Sequence, residues 1–106
     1  MTVIGFGSGD YPERLCDLAN PPDRLFVRAP VVAERLAVLL APPLVAIVGS
    51  RNASVAGVAF ARRLAGELAA SGVGVVSGLA RGIDAGAHEG ALERGGRTVA
   101  VLGCGI

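Results

Sequence analysis

The sequence predicts an α/β fold organised around a parallel sheet, with a β-α-β-α-β core in its second half. Three observations carry this reading. Apolar runs of strand length recur at 44–48 (LVAIV), 73–77 (VGVVS) and 98–102 (TVAVL). They are continuous where a half-buried strand would alternate, as expected of strands covered on both faces. The segments between them have helical periodicity and carry helix start and stop residues, and the connections are short enough for right-handed crossovers.

Taken in order, residues 1–9 read as a loose leader. Tyr11-Pro12 and Asn20-Pro21-Pro22 are turn signals on either side of a short helical stretch at 13–18. Residues 25–27 suit a short strand, and 31–40 a helix that stops before Pro42-Pro43. These segments make residues 1–43 a lead-in to a domain spanning 44–106. Within that domain, Gly49 bounds the first strand. Ser54 can cap a helix with Ala61, Leu64, Ala65 and Leu68 on one face, and Gly72 stands where the helix should stop. Asp84 is placed to cap a second helix running to Glu93, closed by Gly95-Gly96. Doubly wound sheets normally continue past a third strand, so this domain reads as incomplete, truncated after the strand at 98–102.

Composition narrows the function classes. The chain has 106 residues, 52% hydrophobic and 18% charged, which excludes a disordered tail and leaves room for one core. All ten basic residues are Arg, yet the net charge is only +1. A general basic coat for nucleic acid is therefore excluded, and any anion site must be local. Cys16 and Cys104 match no metal-ligand spacing and read as small apolar residues in a reducing compartment, a catalytic thiol being the alternative. The N-terminus lacks a basic region followed by a sustained apolar core, and no stretch reaches the roughly eighteen apolar residues of a membrane helix. The expected location is a bacterial cytoplasm, with no membrane partner.

In open α/β sheets, ligands bind beyond the carboxyl ends of the strands. Three loops belong on that edge: Gly49-Ser50-Arg51-Asn52, the segment 77–84, and 103–105. Two of them lead into helix N-termini, whose N–H groups and positive dipole ends favour anions. Glycines allow close backbone approach, and Arg51 and Arg81 add planar donors suited to phosphate oxygens. The pattern points to a phosphate-binding crevice. Other readings stand beside it: Arg81 as a solvated loop charge, Arg51 paired with Asp84, and Asp84 as a simple helix cap. His88, one turn before Leu92 on the same helix face, reads as a packed or loop-supporting histidine more readily than as a base. Ser50 and Ser77 read as hydroxyl donors to an anion, since no triad partner accompanies them. GSRNASVAG is not G-x-G-x-x-G, no acid ends the second strand, and without lysine there is no P-loop. NAD and ATP are therefore not expected, and neither is a metal or any other cofactor.

These residues resemble the DNA-processing protein A family (DprA, also called Smf). The resemblance rests on VAIVGSR (45–51), VVSGLARGIDAGAHEGAL (75–92), the Gly95-Gly96 turn and TVAVLGCGI (98–106), with Tyr11-Pro12, Pro21-Pro22 and Leu25-Phe26 fitting the lead-in. It implies an extended Rossmann-like domain that binds single-stranded DNA, protects incoming DNA in natural transformation and helps load the RecA recombinase. It also implies a protein that is not an enzyme and whose full-length form makes homodimers. Carried over residue by residue, Gly49, Ser50, Arg51, Ser77, Gly78, Arg81 and Gly82 would contact DNA phosphates, with Asp84 and His88 supporting the loop. Ala29 departs from a glycine common in the family, and the later basic residues and winged helix of family members are not in this sequence. A rival is the family resembling lysine decarboxylases that acts as nucleoside-monophosphate phosphoribohydrolases, which shares the sheet. Its loop after the second strand typically reads G-G-G-x-x-G-x-M, where this chain has SGLARGID. A ligand-free structural fragment is the third reading.

Overall fold

The computed structural model describes residues 2–28 and 33–103. Part of the helix expected at 31–40, the Ala29 position and the loop beyond Gly103 with Cys104 lie outside the described residues. Contacts divide the chain between Leu40 and Ala41 into two units.

In the first unit the expected leader is not loose. Residues Thr2–Gly5 form strand β1, paired antiparallel with β2 (Arg24–Val27), Val3 opposite Phe26 and Ile4 opposite Leu25. The pairing buries Ile4, and Phe6 N–H donates to the Asp23 carbonyl at 2.7 Å to continue the ribbon. The expected helical stretch at 13–18 is a 3-10 helix over Glu13–Asp17. Tyr11 is buried beside it, its hydroxyl donating to the Pro22 carbonyl at 2.8 Å and its ring edge-on to Phe6. Cys16 is exposed rather than packed, because the 3-10 helix buries none of its residues. Helix α1 spans Ala33–Leu39.

The second unit holds the expected β-α-β-α-β order. Strands β3 (Leu44–Ala46), β4 (Gly74–Ser77) and β5 (Thr98–Ala100) form a parallel sheet in that order, connected by α2 (Val55–Ala70) and α3 (Ile83–Glu93). Only β4 is covered as the apolar runs suggested; β3 and β5 are half-buried to exposed, because both helices lie on one face of the sheet. Regular pairing ends earlier than the apolar runs do. Single ladder bonds still continue, from Ile47 N–H to the Val76 carbonyl and from Val101 N–H to the Ser77 carbonyl, both 2.9 Å. Ser54 caps α2 as expected, accepting from Gly57 N–H at 3.0 Å, and Gly72 follows the helix with φ +87°. At the opposite edge from those loops, Arg97 donates to the carbonyls of Ala41, Pro43 and Gly72, joining the starts of β3 and β4 to the end of α2. Among the described residues no helix is long and apolar enough to cross a membrane.

Consecutive strand order with right-handed crossovers puts both helices on one face of the sheet, where they pack on each other. The core between them is made of small side chains: Ala65 and Ala69 from α2, Ala87 and Ala91 from α3, and Val75 from β4, with Ile47 against them. Such a core yields little apolar area per residue, so close approach of backbones must supply dispersion contacts instead. Gly86 and Gly90, one turn apart on α3, make that approach: a methyl group on Gly86 would touch Val58, and one on Gly90 would land on the Arg62 carbonyl oxygen. Outside the seam, Arg62 pairs with Glu89 and Glu93 across the helices.

Gly90→Ala should therefore lower stability by about 2 kcal/mol, since backbone must move to admit the methyl, although alanine is the better helix former by roughly 1 kcal/mol. Urea denaturation followed by circular dichroism reads the difference. A midpoint equal to or above that of the parent chain would show that the helices are not in this close contact.

Candidate functional site

The loops after β3 and β4 meet at the carboxyl edge of the sheet, and their backbones are in direct contact. Gly82 has φ +77°, and a side chain there would collide with the carbonyl oxygens of Ser50 and Arg51. The next residue, Ile83, donates its N–H to the Ser50 carbonyl at 3.3 Å and packs its side chain over Gly49. Arg51 and Arg81 thus stand on two loops pressed together, and both residues are exposed.

Asp84 has a different role from the one its position suggested. The N-cap of α3 is Gly82, so Asp84 lies inside the first helical turn. Its carboxylate turns back to the strand ends, where Oδ1 accepts from Gly49 N–H at 3.2 Å and Oδ2 accepts from Gly78 N–H at 3.1 Å. Asp84 is 5% exposed. It sits at the positive end of the α3 dipole, which favours the negative charge. Arg51 and Asp84, both among the described residues, form no ion pair, so that alternative is not realised.

The remaining candidate residues divide by where their polar groups go. Ser77 is buried and its hydroxyl donates to the Ile47 carbonyl at 2.7 Å, a bond between neighbouring strands that leaves the hydroxyl hydrogen no second target. Ser50 is exposed and accepts from Asn52 N–H at 3.0 Å, a bond that uses a lone pair and keeps its hydroxyl hydrogen. Gly49 and Gly78 have their N–H groups on Asp84. No group of His, Cys, Asp and Glu able to hold a metal occurs among the described residues.

His88 is buried, whereas Leu92, expected on the same face, is 64% exposed. The buried face of α3 drifts from Asp84 through Ala87 and His88 to Ala91, because 3.6 residues per turn moves Leu92 off it. Leu79 N–H donates to His88 Nε2 at 3.2 Å, which fixes the ring proton on Nδ1 and makes Nδ1 the donor to Thr98 Oγ1 at 2.7 Å. His88 therefore fastens the middle of the β4–α3 loop to β5. Leu79 has φ +63°, a conformation that costs a non-glycine residue about 1 kcal/mol or more and persists where surroundings enforce it. Sequence reading did not single out Leu79, Thr98 or Ile83. A leucine gives no signal of positive φ, and a threonine opening an apolar strand is the one faint clue.

A family model described as DNA recombination-mediator protein A matches residues 2–106 of this chain. The chain belongs to that family. Of the two families whose motifs the sequence was weighed against, it is the DNA-processing one that matches. Among its relatives, Protein Smf of Escherichia coli K12 is 41% identical over 104 residues, covering 98% of this chain and 26% of that protein. The DNA processing protein DprA of Streptococcus pneumoniae R6 is 40% identical over 96 residues, covering 91% of this chain and 32% of that protein. The X-ray structure of DNA processing protein A from Streptococcus pneumoniae superposes with a TM-score of 0.82 at 35% identity, over 98% of this chain and 34% of that one. The chain thus spans about a quarter to a third of the length of the DprA/Smf relatives named, and its sheet is the parallel sheet of the DprA Rossmann-like domain.

Burial lowers the pKa of His88 from its ordinary value, with the nearby Asp84 charge opposing in part. A neutral His88 is also what its bonds require, since protonated Nε2 could not accept from Leu79. The unfolded chain takes up a proton near pH 6.5 (roughly) while the folded one still resists it. Stability from this group is therefore complete above that pH and is lost as pH falls toward the lowered folded value. Thermal melts between about pH 7.5 and 5 should show a decline that is smaller in His88→Gln, which can accept from Leu79 but cannot titrate. Parallel pH profiles for the two proteins would rule out the neutral, bonded histidine.

Proposed function

We propose that this loop edge is part of a single-stranded DNA-binding surface. The protein containing it would act in DNA uptake during natural transformation, protecting the incoming strand and helping to load the RecA recombinase onto it. One observation carries the reading: Arg51 and Arg81 are exposed on two loops locked backbone to backbone, in a chain of the DNA-processing family. A guanidinium neutralises phosphate without reading sequence, so binding is sequence-independent and salt-sensitive. Stacking contributes less, because Phe6, Tyr11, Phe26 and Phe60 all lie off these loops. A grip on a few phosphates suits the edge better than a long stacking groove. No enzymatic step is assigned to it, and neither cofactor nor metal is invoked. RecA contact and pairing of two copies are proposed for the whole protein, of which the relatives are three to four times as long as this chain (roughly).

Arg51→Ala and Arg81→Ala should each weaken binding of a labelled oligodeoxythymidine about five- to ten-fold, the equivalent of roughly 1 kcal/mol. Each should also flatten the logarithmic salt dependence by about 0.7, one phosphate contact on a single strand. Unfolding midpoints should stay with the parent protein's, since both residues are exposed. Fluorescence anisotropy at several salt concentrations measures all of this. Two variants that bind like the parent protein would remove the edge from the DNA-binding surface.

A further inference from the structure

The carboxyl edge of a parallel sheet normally offers an anion two kinds of donor: backbone N–H groups of the glycine loops and the open first turns of the helices that follow. Here several of those donors already have an acceptor from the chain itself. Gly49 N–H, after β3, donates to Asp84 Oδ1, and Gly78 N–H, after β4, donates to Asp84 Oδ2. At α2, Ser54 supplies its hydroxyl oxygen to Gly57 N–H. At α3, Ile83 N–H goes to the Ser50 carbonyl. Asn52 N–H, within the loop that joins β3 to α2, goes to Ser50 Oγ.

The carboxylate mimics what a phosphate would do in this place. Two oxygens of one anion accept one N–H from each of two neighbouring strand ends, at the positive end of a helix. The fit is tight: a methyl group on Gly78 would lie 2.8 Å from Asp84 Oδ2, so nothing the size of a phosphate oxygen fits between loop and carboxylate. Asp84 is also 5% exposed, so solvent does little to screen its charge from an incoming anion.

We propose that Asp84 is the resident anion of this edge and determines its specificity: it keeps phosphate out of the seat between the Gly49 and Gly78 amides, so that a ligand's phosphates are met chiefly by the Arg51 and Arg81 side chains. Mononucleotides and dinucleotides, which depend on backbone N–H groups gripping one terminal phosphate or pyrophosphate, are refused. A phosphodiester strand, held by several separate side-chain contacts, is not. The second half of this statement rests on the DNA reading; the exclusion of phosphate from the seat does not.

The test uses amide and arginine Nε resonances of the protein, titrated first with inorganic phosphate and then with oligodeoxythymidine. Phosphate should leave the Gly49 and Gly78 amides unmoved in the parent protein, while Asp84→Ala should take up phosphate at those same two amides. Saturable shifts of the two amides with phosphate in the parent protein would overturn the proposal, and this arm decides even if Asp84→Ala does not fold. Oligodeoxythymidine should move the Arg51 and Arg81 Nε resonances and leave the two amides in place. If the oligonucleotide shifts those amides to saturation, the seat is open and the proposal fails. If it moves no resonance on the edge while phosphate still leaves the amides unmoved, the DNA reading falls and the closed seat stands.

Discussion

The bond pair from Asp84 to Gly49 and Gly78 holds the carboxyl ends of two adjacent strands against the start of α3. Each bond from a charged acceptor to a backbone N–H is worth more than its neutral counterpart, by roughly a factor of two. Other contacts of the edge fall into place around it. Gly82 lies on the Ser50 and Arg51 carbonyls, Ile83 covers Gly49, and Ser77 bonds across to Ile47. Arg51 and Arg81 owe their placement to this frame, since both sit one or two residues from a fixed point of it.

Such polar ties matter here because the core is so modest. Among the described residues Val75 is the largest fully buried side chain, and the helices meet through alanine and glycine. Small residues bring backbones close, which is why α3 can deliver both Asp84 and His88 to the strand ends from one face. A bulkier seam would lift the helix and draw the carboxylate out of reach of Gly49. His88 completes the arrangement from one turn further along, fixing Leu79 on one side and Thr98 on the other.

The order of strands and helices in the second unit was legible because each element carries its own local signal. LVAIV, VGVVS and TVAVL are apolar runs, Ser54 caps, and Gly72 and Gly95 stop with positive φ. What escaped depended on partners distant in sequence. TVIG at 2–5 has no alternation long enough to mark a strand, and it becomes one by pairing with Arg24–Val27, far along the chain. Asp84 follows Gly82 where a cap belongs, and its composition cannot say that its oxygens reach Gly49, thirty-five residues back. The same glycine-rich loops that promise a phosphate cradle in sequence are, in space, a cradle with its own carboxylate inside. Leu79 was invisible because its role rests on a backbone N–H that any residue but proline supplies, and Thr98 showed only a hydroxyl whose partner, His88, lies ten residues back.

The most direct test of this account is amide hydrogen exchange at Gly49 and Gly78 in the parent protein and in Asp84→Asn and Asp84→Ala. If the carboxylate holds both strand ends, the two amides are protected together; in Asp84→Ala both exchange at least about ten-fold faster, and in Asp84→Asn, whose single amide oxygen can accept from only one of them, at least one does, while Val75 and Val76 stay protected. Unchanged protection at both glycines in variants that still fold would contradict it, since the loops would then be held without Asp84.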